Sequence, residues 1–243
     1  MANNAEITGS GRLSGGDYNE IDISGSGHWD GPIRCLSFDV SGSCRGTGPL
    51  TVKETLDCSG SFRSDSDLDC GNIDISGSAH VDGDVKGRES VDISGMINCG
   101  SIHGGNVSIS GGMDVKGDIE ADEFSLAGAG KIQGLLNAEV VDITAIGFPK
   151  LTEIGQIGGS RIAIRPGNAA GLLRKLITGK TASAGNVVVG TIEGDDIDLT
   201  STKADVVRGT NITLRDGCRI RRVEYTGDLI LEGDAQADEQ VRV

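Results

Sequence analysis

Apolar residues in this chain come in pairs that flank one polar residue. Ile21 and Ile23 bracket Asp22, Phe38 and Val40 bracket Asp39, and Leu56 and Cys58 bracket Asp57. Ile73 and Ile75 bracket Asp74, and Val91 and Ile93 bracket Asp92. One-in-two alternation is the signature of a strand buried on one face. A small polar residue and a glycine close each pair, at Ser24-Gly25, Ser41-Gly42, Ser59-Gly60, Ser76-Gly77, Ser94-Gly95 and Ser110-Gly111. The series begins at Thr8 and runs on through Ala127 to Thr144, recurring about every 17 residues with little variation. A repeat this regular is the mark of a solenoid.

Two further sets of inward positions follow each serine. Three and five residues after it stand pairs such as Phe62 and Ser64, Ala79 and Val81, or Ile97 and Cys99. Gly27, Ala79 and Gly130 are small members of this set, which suits a narrow axis filled by alternating large and small side chains. Near nine and eleven residues after it stand pairs such as Ile33 and Cys35, Leu50 and Val52, or Leu68 and Cys70. Three inward pairs per coil predict three short strands per turn of about 17 residues. The expected fold is therefore all-β, a parallel β-helix solenoid whose corners use glycine for tight turns. One coil cannot bury its own apolar face and must stack on its neighbours.

The pattern divides the chain into three parts. Residues 5–166 read as β-helix coils, less regular after 144. Residues 186–243 read as continuing coils and a C-terminal end, where charged Asp234–Val243 is expected to cover the last coil. Between them, 167–185 differs in composition, with Ala169 to Ile177 predicting a short helix that carries Arg174 and Lys175, followed by Lys180. This basic insertion reads either as a cover for apolar surface or as a docking segment for a partner or a membrane surface.

Composition narrows the function. Glycine is 39 of 243 residues and aromatics are 3%, so no large aromatic core is available. A net charge of −14 opposes binding to nucleic acid and allows at most peripheral contact with an anionic membrane. Met1 to Glu6 lacks the basic and apolar segments of an export signal. Together with six cysteines that form no Cys-x-x-Cys spacing, this points to reduced thiols and a cytoplasmic location.

Stacked Ile-Asp-Ile-Ser-Gly coils of this length resemble the bactofilins, bacterial cytoskeletal proteins that form polymers. The resemblance is carried by Val85-Lys86-Gly87, Val91-Asp92-Ile93-Ser94-Gly95 and Val115-Lys116-Gly117-Asp118-Ile119-Glu120-Ala121-Asp122, and extends over roughly residues 5 to 143. It implies a right-handed β-helix that stacks end to end without nucleotide or other cofactor. It also implies a scaffold for cell-envelope or shape-determining proteins. Spacing alone does not give the handedness.

The residues offer two candidate interaction surfaces and one assembly end. Asp22, Asp39, Asp57, Asp74 and Asp92 form an outward acidic stripe, and Arg174, Lys175 and Lys180 form the basic segment. Ala5, Ile7 and Leu13 lie on the first coil, where an open edge invites another copy. No catalytic, cofactor or metal residues are assigned. His28 and His80 share a column three coils apart, and a Ser-His-Asp site needs hydrogen-bond reach. Gly179-Lys180-Thr181 lacks the glycine that a phosphate-binding loop places five residues before its lysine. The leading reading is a non-enzymatic scaffold that associates with itself, end to end or as a dimer. The alternatives are a monomeric or dimeric binding module and, further off, a left-handed β-helix acyltransferase.

Overall fold

The computed structural model describes residues 3–146, 151–167 and 187–243. Two compact units are present, Met1–Gly117 and Asp118–Val243. The first holds β1 (Asn3–Ile7), β2 (Ser10–Ile23), β3 (Ser26–Cys35), β4 (Ser37–Val40), β5 (Ser43–Thr47) and β6 (Leu50–Cys58). It continues with β7 (Ser61–Ser64), β8 (Leu68–Ile75), β9 (Ser78–Val81), β10 (Val85–Cys99) and β11 (Ile102–Val115). The second holds β12 (Ile119–Ala145), β13 (Thr152–Pro166), β14 (Val187–Leu199) and β15 (Thr202–Leu214). It ends with β16 (Arg219–Tyr225), β17 (Leu229–Leu231) and β18 (Gln236–Arg242).

Each unit is a parallel β-solenoid, as the repeat predicts. In the first, Ile7 lies beside Ile23, Ile23 beside Val40, Val40 beside Cys58 and Cys58 beside Ile75. Ile75 then pairs with Ile93 and Ile93 with Ile109. These partners stand one position before the successive anchors, so the register follows the spacing of Thr8, Ser24, Ser41 and their successors. Three inward pairs per coil are buried, for example Ile73 with Ile75, Ala79 with Val81, and Val85 with Gly87. Register cannot slip here, because a one-residue shift would turn every aliphatic side chain outward.

The Ser-Gly corner is set by how closely successive coils approach. A Cβ on Gly60 would lie 1.8 Å from the carbonyl oxygen of Gly42, and one on Gly77 would lie 2.0 Å from that of Gly60. The same carbonyls receive hydrogen bonds from the next coil, such as Ser61 N–H to Gly42 O at 3.0 Å. The sheet ladder thus continues around the corner, and only glycine leaves room for it.

Large and small residues alternate along the axis. Trp29 is fully buried beside Gly27 and packs edge-on against Phe38, with ring centroids 5.8 Å apart. Gly46 in the next coil makes space for the indole, since a Cβ there would come within 1.7 Å of it. Phe62 then shares its coil with buried Ser64, whose hydroxyl donates to the Ser66 carbonyl at 2.9 Å. No buried side-chain polar atom among the described residues is left without a partner.

The second unit keeps the fold with unequal coils. Ile143 pairs with Ile164, Ile164 with Leu199, Leu199 with Leu214 and Leu214 with Leu231. The longest of these steps runs from Ile164 to Leu199 and the shortest from Leu199 to Leu214. The expected basic insertion falls in the longest step. All of it except Gly167 lies outside the described residues. Two expectations need correction. Gly130, expected inward, is only half-buried, while Gly128 at the corner position is buried. Asp234–Val243 does not fold over the last coil. Its residues Gln236–Arg242 form β18, which adds to β16 and continues the ladder.

Candidate functional site: outward rows and exposed edges

Because each coil repeats the one before it, an outward side chain recurs as a row along the axis. Asp22, Asp39, Asp57, Asp74 and Asp92 are successive partners in one such row, and all are exposed. Adjacent strands are about 4.8 Å apart, so Asp39, Asp57 and Asp74 each face like charges on both sides, while Asp92 meets Ser108 on its far side. Partial burial, then Asp57, Asp22 and Glu20, push the Asp39 carboxyl above its ordinary value. Burial, then Asp57 and Asp92, do the same to Asp74. Among the described residues no cation pairs with this row.

A second row, on the face after the Ser-Gly corner, was only half visible in sequence. Arg12, His28, Arg45, Arg63 and His80 are successive partners there. Only its two histidines stood out as sharing a column. Its arginines show no apolar alternation, and register with a known corner is the signal that finds them. Asp30 contacts Arg12 at 3.2 Å and His28 Nε2 at 2.9 Å, and Asp82 contacts His80 Nε2 at 3.1 Å. The Asp30 carboxyl also accepts the Thr47 hydroxyl at 3.1 Å, and these hydrogen bonds with the nearby Arg12 outweigh desolvation, holding it below its ordinary value. Arg45 and Arg63 carry no ion pair among the described residues.

The second unit pairs its outward charges from coil to coil. Arg165 reaches Asp142 at 3.1 Å, and Arg215 grips Asp198 with two hydrogen bonds of 2.9 and 3.1 Å and also contacts Glu232. Arg208 and Arg222 both bond Glu224, at 2.7 and 2.6 Å, and hold its carboxyl below the ordinary range. A groove of about 710 Å³ on this unit is lined by Lys131, Glu153, Val188, Lys203, Arg219 and Asp205. Its mixed charges define no single ligand chemistry.

The first coil places the predicted assembly residues at an edge. Ala5 and Ile7 lie on β1, opposite Ile21 and Ile23, and Leu13 lies opposite Trp29. Ile7 is buried, while Ala5 and Leu13 are half-buried. Among the described residues β1 pairs only with β2. At the other extreme β17 pairs only with β15 and β18 only with β16, and Ile230 and Leu231 are exposed. Arg174, Lys175 and Lys180 lie outside the described residues.

All six cysteines are buried and free. Burial, the largest cause, pushes Cys35, Cys44, Cys70 and Cys99 up to about 12. No cluster of His, Cys, Asp or Glu among the described residues is placed to hold a metal ion. No helix among them is long and apolar enough to cross a membrane.

These features define a repeat protein of the parallel β-solenoid class. The family model described as "Bactofilin: Polymer-forming cytoskeletal" matches residues 45–137. The match falls on the coils whose Ile-Asp-Ile-Ser-Gly pattern carries the resemblance to that family. An uncharacterised Bacillus subtilis (strain 168) protein, YhbE, is 34% identical over 114 residues. The match covers 46% of this chain and 45% of that protein, so the chain spans about half the length of this relative. No solved structure matches significantly.

Proposed function

We propose that this chain is a cytoskeletal scaffold that polymerises through the exposed edges of its coils and needs no nucleotide. The supporting observation is the edge itself. Among the described residues β1 pairs only with β2, which leaves its outer backbone N–H and C=O groups open, and behind them lie the apolar columns that Ala5, Ile7 and Leu13 begin. A parallel strand edge of this kind templates a further strand. The bactofilin match over 45–137 supports the same role. Proteins of the cell envelope or of shape determination are the clients this reading implies, with Arg174, Lys175 and Lys180 as a docking point for them.

Negative-stain microscopy of the full chain across a salt series, with no nucleotide added, tests this. Filaments should lengthen with salt, because a net charge of −14 opposes stacking and salt screens it. Ile7→Glu with Leu13→Glu should shorten them. Monodisperse 25.0 kDa monomers at every salt concentration would end the proposal.

A further inference from the structure

Two rows of opposite charge run along the same coils of the first unit. The acidic row, Asp22 to Asp92, meets no cation among the described residues. The second row, Arg12 to His80, holds two adjacent arginines, Arg45 and Arg63, that form no ion pair among the described residues. Both rows advance by one coil per rung, so their spacing matches wherever the solenoid stays regular. Small side chains border them. Ser24, Ser41, Ser59 and Ser76 lie beside the acidic row, and Ser43, Ser61 and Ser78 beside the basic one.

We propose that a second copy of this chain docks side by side, laying its Asp39–Asp57–Asp74 row along Arg45 and Arg63 of the first. This deepens the scaffold reading and rests on it, naming a lateral contact in addition to the coil edges. The flanking acids do not satisfy the two arginines. Asp30 is taken by Arg12 and His28, Asp82 by His80, and Asp65 accepts the Gly48 N–H at 3.2 Å. Partial burial and then the neighbouring carboxylates raise the Asp39 and Asp74 carboxyls, as suits a row that meets no cation among the described residues. The second unit shows the contrast, since Asp142 and Asp198 each meet an arginine of a neighbouring coil. The contact joins two different faces, so each docked copy leaves one face of each kind open and pairing propagates sideways. One exposed ion pair contributes little. Repetition at matched spacing adds further pairs once the first has formed.

Sedimentation velocity and electron microscopy of the full chain test the contact, at about 0.01 M and about 0.1 M salt. Over that range the screening length falls from about 30 Å to about 10 Å. Lateral association should weaken with salt, the opposite of end stacking. Arg45→Glu with Arg63→Glu should weaken it by about tenfold or more at the lower salt. Asp57→Lys with Asp74→Lys should do the same. An equimolar mixture of the two variants should associate again, because each retains the face that the other has lost. Arg45→Lys with Arg63→Lys keeps the charge and should leave association near the starting level, and unchanged melting temperatures certify folding. Wild-type association by Arg45→Glu/Arg63→Glu, or a mixture that sediments as two separate species, overturns the proposal. Narrow filaments of normal length from that variant would leave end stacking intact. Salt-sensitive pairs without any filaments would instead keep the lateral contact and remove the scaffold reading.

Discussion

The two units solve the same electrostatic problem in different ways. Residues 1–117 hold 17 acidic and 8 basic side chains, whereas 118–243 hold 19 and 14. In the first unit the carboxylates between the inward pairs stack on one another from Asp22 to Asp92. In the second the same position is interrupted, with Asp142, Ala163, Asp198 and Thr213 as successive partners, and arginines cross the coils to meet the acids. Both arrangements sit on the same backbone, so neither is required by the fold.

The sharpest way to break this comparison is through the core that underlies both units. Phe62→Ala should cost about 3–5 kcal/mol, since the ring is fully buried with its centroid 5.7 Å from that of Trp29. Ile192→Ala, in the aliphatic core of the second unit, should cost about 2–5 kcal/mol. Hydrogen exchange under denaturant would register each loss in its own unit. Equal loss of protection in both units from either change would show that they unfold together.

Corner glycines come next. Gly60→Ala drives a methyl to 1.8 Å from a backbone carbonyl and should cost about 3 kcal/mol, read as a lower denaturation midpoint. Gly190→Ala meets the Gly155 carbonyl at 2.6 Å and should cost less. A reversed order would mean that the first unit's coils are not packed as closely as described.

Charge substitutions should be smaller and opposite in sign. Asp57→Asn relieves repulsion from Asp39 and Asp74 and should raise the melting temperature by about 1–2 °C. Asp198→Asn removes the partner of Arg215 and should lower it. The same sign for both would erase the distinction between the rows.

Acid should separate the units in the same way. Asp39 and Asp74 have carboxyls raised above 3.8, so the folded first unit binds protons more readily than the unfolded chain. Its stability therefore rises as pH falls from neutral through those raised values. Glu224 and Asp234 in the second unit are depressed, so their contribution is present above the ordinary carboxylate range and lost as pH falls through their folded values. Thermal melts from pH 7 downward should show the first unit gaining before the second loses. Asp39→Asn with Asp74→Asn should abolish that gain. The smallest effect is on the thiols. Buried and shifted to about 12, Cys35, Cys44, Cys70 and Cys99 should resist alkylation until the protein unfolds.

The first unit was legible in sequence because its coils are nearly equal in length. Three inward pairs, the Ser-Gly corner and the acidic row follow from counting alone, and even Ser64 and Gly46 fell into buried columns. The second unit was less so. The unequal steps between Ile143, Ile164, Leu199 and Leu214 place the same rows at positions that no fixed count reaches, although triplets such as Ile197-Asp198-Leu199 still announced strands. Gly130 is more exposed than the count implied, and Gly128 beside it is buried instead. The arginine row and the crossed ion pairs were missed for another reason. These charges do not repeat as one residue type at a fixed count, and their neighbours emerge only after each coil is laid on the last.

Both proposed contacts require that outward positions recur once per coil. Spin labels on Asp22→Cys paired with Asp92→Cys, or with Ser108→Cys, measure this directly, because the native thiols are buried. Four and five coil steps predict separations of about 19 Å and about 24 Å, each adjustable only by the reach of the label. Narrow distributions that lengthen by one strand spacing per coil would uphold the stacked rows. Broad distributions, or distances unrelated to the number of coils between the labels, would contradict them.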